Sequence, residues 1–112
     1  MDMRRLVYPM PLTIEDRADL FEEWVEANPA ALEEMEQAAL AIAYSGRRVS
    51  AKYLVERQRY EGRAKLHPVP FLDVHGNAHE YGINNSDTPE LARFLKAKYP
   101  WMDIQLRRRA HE

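Results

Sequence analysis

Cysteine is absent from this 112-residue sequence, and glycine occurs only four times. Without cysteine the chain has no disulfide bonds, no thiolate ligands for a metal ion and no thiol for nucleophilic catalysis. No apolar run approaches the ~18 residues that a membrane-spanning helix needs. The short apolar start is interrupted by Pro9 and Pro11, which is not typical of a signal peptide. These absences predict a soluble protein, and a cytoplasmic location is the natural expectation.

Charge is unevenly distributed along the chain, although the formal net charge is only -2. Residues 13–36 contain nine acidic side chains against one basic side chain, whereas residues 46–65 contain seven basic against two acidic. Such a polarised chain presents a positive surface while its total charge stays near zero. The alternative is that the acidic and basic blocks face each other, within the fold or between protomers.

The segment from Leu32 to Arg63 predicts two helices joined by a tight turn. Apolar residues recur at helical spacing up to Ala43, Gly46 is suited to end a helix, and Ser50 is a favoured N-cap. In the second of these helices, one stripe of residues is predicted to face inward and to leave a basic, tyrosine-bearing face outside. The inward positions are Ala51, Leu54, Val55 and Gln58. This is the arrangement of a helix-turn-helix, and equally of any helical hairpin with a solvated face.

The other segments extend this helical part on both sides. Prolines exclude helix near the start, so that an extended N-terminal arm is predicted there. Thr13 and Asp16 form a capping-box pattern at the start of the first helix, and Asn28-Pro29 ends that helix, with Asn28 as the cap of the next. A single domain, 1–112, is expected for a chain of this length. Its predicted parts are an arm at 1–12, helices at 13–66, a β-hairpin at 67–85, a helix at 86–100, and a C-terminal strand and basic tail at 101–112.

The hairpin is predicted from two short β-patterns on either side of Gly76-Asn77. A turn at these residues pairs Val74 with His79, but it also sets Asp73 against Glu80, so that the register stays open. The order helix, helix, turn, helix, hairpin, helix is that of an α+β, mostly α, winged-helix-like domain. In that interpretation the hairpin is the wing and lies beside the third helix.

A set of short motifs occurs along the chain in a specific order and spacing. They are Asn28-Pro29, Ser50-Ala51, Arg57-Gln58-Arg59-Tyr60-Glu61, Ile83-Asn84-Asn85, Ala92-Arg93 and Tyr99-Pro100. In these motifs residues 21–100 resemble a family of small tailed-phage and prophage proteins. The resemblance implies a phage origin and work inside the cytoplasm of a host bacterium, and it implies little about activity. The chain departs from the family pattern in its inserted hairpin and at Gly82, where the family commonly has a basic residue that would suit a phosphate.

The predicted third helix supplies candidate contacts to nucleic acid. Arginines just before it oppose the helix dipole and suit an incoming phosphate, and the outward positions suit a major groove. The candidate DNA-binding residues are Arg47, Arg48, Lys52, Tyr53, Arg57, Arg59, Tyr60 and Arg63. Structural explanations stand beside this one, since Lys52 and Glu56 form an i,i+4 pair and arginine stems cover apolar surface. The sequence thus predicts a phage-encoded DNA-binding or regulatory protein, for which a homodimer reading two half-sites is plausible.

The alternative function is a non-enzymatic interaction protein that binds a host or phage protein through the acidic helices at 13–36. No catalytic constellation stands out, and neither enzyme activity nor a cofactor is predicted. His75 and His79, followed by Glu80, match a zinc-binding spacing on a helix, but the intervening Gly76-Asn77 disfavours helix there. No metal site is therefore predicted, and no membrane partner.

Overall fold

Helices and one β-hairpin make up residues 6–83 and 88–106, which are the residues that the computed structural model describes. The elements are α1 (Ile14–Ala27), α2 (Pro29–Tyr44), α3 (Ala51–Glu61), β1 (Val69–Leu72), β2 (Ala78–Tyr81) and α4 (Thr88–Lys98). The prediction of an α+β, mostly helical fold is confirmed. The predicted turn at Asn84-Asn85 and the arginines at 107–109 lie outside the described residues.

The helices begin and end where local chemistry predicts. Thr13 Oγ1 accepts a hydrogen bond from the Asp16 backbone N–H at 3.1 Å, and the Asp16 carboxylate accepts from the Thr13 N–H at 3.0 Å. Ser50 Oγ accepts from the Tyr53 N–H at 3.2 Å, which makes Ser50 the N-cap of α3. Gly46 follows α2 with a φ of +82°, a left-handed conformation that glycine adopts at little cost.

The core is built around α2. Helices α1 and α3 pack against α2, α4 packs against α3, and the hairpin packs against α1. The largest fully buried side chains come from all four of these helices and from the segments beside α3 and α4. They are Trp24, Leu20, Met35, Leu54, Leu91, Leu95, Met102, Val49 and Val55. These contacts bury the inward stripe of α3 and leave its opposite side outside.

The hairpin has a different register from the one considered above. Val69 pairs with Tyr81 and Leu72 with Ala78, so that the pairing of Val74 with His79 is wrong. Val74 lies instead in the turn, and the first strand begins earlier, at Val69.

Asp73 accounts for this register. The side chain is buried, and its Oδ1 accepts hydrogen bonds from the backbone N–H groups of His75 at 2.8 Å and Asn77 at 3.0 Å. Its Oδ2 lies 2.9 Å from Nε2 of His79, and Gly76 takes a φ of +83°. An aspartate that binds the turn backbone in this way ends the strand before it, because it closes the loop locally.

Both ends of the described chain are tied to the fold by short backbone pairings. The Tyr8 N–H donates to the Leu72 carbonyl at 2.9 Å, so that the arm is extended beside β1 as predicted. At the other end the Val49 N–H donates to the Asp103 carbonyl at 2.8 Å, and Val49 forms a parallel bridge with Ile104. Of the segment predicted as a C-terminal strand and basic tail, the described residues 101–106 form this single bridge, and residues 107–112 lie outside the described residues.

Asn28 joins the helical part to the segment that leads into the hairpin. The side chain is only 2% exposed, and its Nδ2 donates to the carbonyls of Trp24 at 2.8 Å and His67 at 2.9 Å. Its Oδ1 accepts from the His67 N–H at 2.6 Å. Asn28 is the N-cap residue of α2 as predicted, but its side chain makes no capping hydrogen bond, because the amide is used on the Trp24 carbonyl and the His67 peptide.

Replacing Asn28 with alanine is expected to lower the free energy of unfolding by about 2–4 kcal/mol, because the buried Trp24 carbonyl and the partly buried His67 peptide lose their partners. Urea denaturation measures this effect as a lower midpoint at an unchanged m-value. Asn28→Asp is the matched variant, since it keeps the acceptor for the His67 N–H and loses the donors, and its loss is expected to be comparable. An alanine variant as stable as the wild type would contradict the role of Asn28.

The Asp73→Asn substitution is expected to destabilise the protein at neutral pH and to matter less in acid. The hydrogen bond to His79, and then those from the turn backbone, hold the pKa of the Asp73 carboxyl well below its ordinary 3.8. Stability from a carboxylate with a lowered pKa is fully present above the ordinary pKa and is lost as the pH falls towards the folded-state pKa. The difference in unfolding free energy between wild type and variant therefore shrinks on acidification.

Asp19→Asn, at an exposed carboxylate on α1, is the control for Asp73→Asn. It is expected to leave stability close to that of the wild type in the same urea titrations. A stability gap for Asp73→Asn that stays constant through the acid range would exclude the proposed titration.

Candidate nucleic-acid interface

The outward face of α3 carries most of the predicted DNA-binding residues. Leu54, Val55 and Gln58 are buried, which confirms the inward stripe, while Ala51 is half-buried. On the opposite side the side chains of Lys52, Tyr53, Arg59 and Tyr60 are exposed. The structure thus places these residues on the solvent side of one helix.

Lys52 and Arg59 are seven positions apart, which is about two helical turns, so that they lie on the same side of α3. Within the described residues neither has a carboxylate at ion-pair distance, and the predicted Lys52–Glu56 pair does not form. The Arg59 guanidinium lies 6.0 Å from the centre of the Tyr60 ring. This side of the helix therefore presents two cations without an ion pair beside aromatic rings, with Glu56 between them on the same side.

The turn before α3 adds two more exposed cations, Arg47 and Arg48. Arg48 and Lys52 line a cleft of about 180 Å³ together with Ser50 and with Thr88 and Pro89 at the start of α4. Arg48 Nε lies 3.3 Å from Asp103 Oδ1, and both side chains are largely exposed. Such a surface ion pair contributes only about 0–1 kcal/mol to stability. A phosphate can therefore replace Asp103 as the partner of Arg48.

Arg57 and Arg63 lie elsewhere. Both line a groove towards α2 that also contains Glu33 and Glu34, and Arg57 Nε lies 3.8 Å from the carboxylate of Glu61. The surroundings of these two arginines are mixed in charge. The structure therefore separates them from the positive side of α3 that carries Lys52 and Arg59.

Glu34 joins α2 to the end of α3, a role that the sequence analysis missed. Its carboxylate accepts hydrogen bonds from Gln58 Nε2 at 2.9 Å and from the backbone N–H groups of Arg63 at 2.9 Å and Ala64 at 3.0 Å. The Gln58 bond, followed by these backbone bonds, holds the pKa of the Glu34 carboxyl below its usual range. No local pattern marks this residue, because its partners follow it by more than twenty positions in the sequence.

Some carboxylates of the acidic block at 13–36 make contacts within the fold, and others are exposed to solvent. Glu34 binds backbone N–H groups just after α3, and Glu36 binds Lys98 Nζ of α4 at 2.7 Å, outside the basic block at 46–65. Four carboxylates of α1 remain exposed at helical spacing. They are Glu15, Asp19, Glu22 and Glu26.

The histidines of the hairpin do not converge with other ligands. His79 packs its ring against Phe71 and pairs with Asp73, while His75 is exposed in the turn. Over residues 6–83 and 88–106, no three side chains of the metal-binding types lie together in a metal-binding arrangement.

Comparisons with protein-family models, with characterised proteins and with solved structures found no match, so the functional argument depends on the geometry described above. Among the described residues, no helix has both the length and the apolar character needed to cross a bilayer.

Gly62→Ala is expected to destabilise the protein by about 1–3 kcal/mol, a typical cost of overpacking. A methyl group at Gly62 overlaps the Gln58 side chain, which binds both Glu34 and the Ala64 carbonyl. Gly82→Ala is the control, because a methyl group there meets no described atom within 4 Å. Urea midpoints should separate the two variants, and equal midpoints would contradict the close approach at Gly62.

Proposed function

We propose that this protein is a small DNA-binding or regulatory protein in which α2, the turn at 45–48 and α3 act as a helix-turn-helix. The proposal is carried by the outward face of α3, where Lys52 and Arg59 are exposed beside Tyr53 and Tyr60 and lack carboxylate partners among the described residues. Exposed cations of this kind bind phosphates, and polar side chains on an inserted helix contact base edges.

The start of α3 is the end that enters the major groove in this proposal. In helix-turn-helix proteins the first residues of the recognition helix contact bases, which assigns base contacts to Lys52 and Tyr53. Arg47 and Arg48 precede the helix at its positive dipole end, where a phosphate is favoured. A phosphate there replaces Asp103 as the partner of Arg48.

The hairpin is the wing in the winged-helix form of this proposal. Arg59 lines a cleft of about 360 Å³ with His67 and with Glu80 and Gly82 at the end of β2, which supports an approach of both elements to one ligand. The exposed polar turn at 75–77 is suited to contact the DNA backbone. Glu80 opposes phosphate binding within this cleft, so that the turn of the hairpin is the better contact.

The biological setting of the proposal comes from the resemblance to tailed-phage proteins. A phage-encoded regulator works in the cytoplasm of the host bacterium, where its DNA lies. A homodimer is part of this proposal, because two recognition helices read two half-sites.

The second candidate function is binding of a host or phage protein through the acidic helices at 13–36. The observation that favours it is the exposed row of carboxylates on α1 at residues 15, 19, 22 and 26. A negative helical face of this kind suits a basic partner, including a nucleic-acid-binding enzyme. If the protein binds DNA through α3, neutralising Arg47, Arg48, Arg57 and Arg59 together abolishes its function. If it binds a protein through the acidic helices, the same change leaves its function intact.

Fluorescence anisotropy with a labelled random-sequence duplex tests DNA binding. Affinity is expected to fall steeply with salt, with a log–log slope of about -3 to -5 for a few phosphate contacts. The double variant Lys52→Gln/Arg59→Gln is expected to bind more weakly and to reduce the magnitude of this slope by about 1, because Arg59 loses a phosphate contact and Lys52 a base contact.

Arg17→Gln/Lys65→Gln is the matched control for the α3 variant, because it removes the same charge from α1 and from the segment after α3, at residues without an ion-pair partner among the described residues. This control should bind like the wild type. Equal weakening by both double variants would mean that net charge alone matters, and absence of binding at low salt would refute the proposal.

A further inference from the structure

Two aromatic rings stack on each other at the surface, away from the outward face of α3. Tyr44, the last residue of α2, is 75% exposed, and Trp101, which follows α4, is 54% exposed. Their ring centres are 5.3 Å apart at an interplanar angle of 21°. Tyr99 meets Trp101 edge-on at 6.2 Å. We call the Tyr44–Trp101 pair the aromatic platform.

The backbone beneath the platform is well anchored. Met102 is fully buried beside Trp101, and its carbonyl accepts a hydrogen bond from Lys96 Nζ at 2.7 Å. The Met102 N–H donates to the Tyr99 carbonyl at 3.0 Å. One residue further, the Asp103 carbonyl binds the Val49 N–H. The rings are therefore held in place before any ligand arrives, which lowers the entropic cost of binding.

Two arginines of the turn after α2 contact residues next to the platform in the chain. Arg47 Nε donates to Oγ of Ser45, the residue directly after Tyr44, at 3.1 Å. Arg48 binds Asp103, two positions beyond Trp101, at 3.3 Å. Flat aromatic surface next to exposed guanidinium groups is the combination by which proteins bind single-stranded nucleic acid, since bases stack on rings and phosphates meet cations.

From this arrangement we infer that the aromatic platform binds an unpaired nucleobase of a single-stranded nucleic acid. The base stacks on the exposed ring surface of Trp101 and Tyr44, and Arg47 and Arg48 contact the flanking phosphates. The inference shares its ligand class, and the phosphate contacts of Arg47 and Arg48, with the proposed DNA binding by α3. Tyr44 and Trp101 have no part in that proposal, however, and Lys52 and Arg59 have none in this one. The two can therefore fail separately.

The charges favour a nucleic acid over a protein segment at this place. A buried apolar peptide would leave the two arginines at its edge without anionic partners beyond Asp103, whereas a strand supplies one phosphate for each base. Stacking is tolerant of base identity, because every base has an aromatic face. The platform is thus expected to bind strands with little sequence preference.

The chain contains two tryptophans, and this makes the inference directly measurable. Trp24 is fully buried, whereas Trp101 is exposed, so that a stacked base quenches the emission of Trp101 and leaves that of Trp24 unchanged. The probe is a short oligothymidylate added to the full chain at low salt. Saturable quenching is expected in the wild type, and in Trp101→Phe the remaining emission, from Trp24, should not respond.

Labelled oligothymidylate then tests the contribution of each ring by anisotropy. Trp101→Ala and Tyr44→Ala are each expected to weaken strand binding roughly 10-fold or more, while Trp101→Phe retains most of it. Val74→Ala, at an exposed apolar residue in the hairpin turn, is the matched control and should bind like the wild type. Far-ultraviolet circular dichroism of each variant checks that the fold is kept.

Several results would overturn the inference. One is an absence of quenching at low salt, and another is equal strand affinity for wild type and Trp101→Ala. Equal quenching by an abasic deoxyribose-phosphate strand would show that charge alone is recognised. Self-association that is lost in Trp101→Ala, without any response to oligothymidylate, would assign the platform to an interface between copies.

The same titrations distinguish this inference from duplex binding by α3. Trp101→Ala is expected to weaken binding to the single strand and to keep the affinity for duplex DNA. Lys52→Gln/Arg59→Gln is expected to keep the platform response to oligothymidylate and to lose affinity for the duplex. Loss of both activities in both variants would refute the assignment of separate surfaces.

Discussion

The hydrogen bonds of the Asn28 side-chain amide determine how the helical part and the hairpin are arranged. Its donor and acceptor groups bind both the carbonyl and the N–H of His67, much as a neighbouring strand would. The same Nδ2 also binds the carbonyl of Trp24 at the end of α1. Because buried peptide groups need partners, this single amide both closes the α1–α2 junction and places the segment that enters the hairpin. Glu34 of α2 likewise accepts hydrogen bonds from the backbone N–H groups of Arg63 and Ala64. The connection from α3 to β1 is therefore held by Glu34 and by Asn28, the residue before α2.

Local chemistry explains which parts of the fold were predictable. Thr13, Gly46 and Ser50 act on backbone within a few residues, and the helix boundaries that depend on them were predicted correctly. Asn28 was placed correctly before Pro29, but its side chain binds a residue 39 positions away. Asp73 likewise accounts for the difference between the considered and the observed hairpin register. The sequence pattern makes Asp73 an ordinary strand residue, whereas its carboxylate binds two N–H groups of the turn. Such choices depend on tertiary contacts that neither periodicity nor turn preference records.

The candidate binding surfaces are also predictable only where they depend on local spacing in the sequence. The spacing of Lys52 and Arg59 on one helix predicts their common exposure, because helical periodicity is local. It does not predict that Arg57 turns towards Glu61 and the acidic side of α2. The aromatic platform depends on a contact between Tyr44 and Trp101, which are far apart in the sequence, and on the Val49–Ile104 bridge that brings these segments together. No local pattern tells which of two neighbouring apolar residues is buried, and here Met102 fills the core and leaves Trp101 outside.

Charge placement connects the fold to the proposed binding modes. Glu34 and Glu36 of α2 are both engaged in contacts that stabilise the fold. The remaining carboxylates of α1 lie on a helix that packs against α2 and the hairpin, whereas α3 packs against α2 and α4. In the proposed binding modes, the α1 surface repels an anionic strand or duplex, whereas α3 and the turn at 45–48 attract it. A net charge of -2 is compatible with this proposal, because the field near each surface follows its local charges and not their sum.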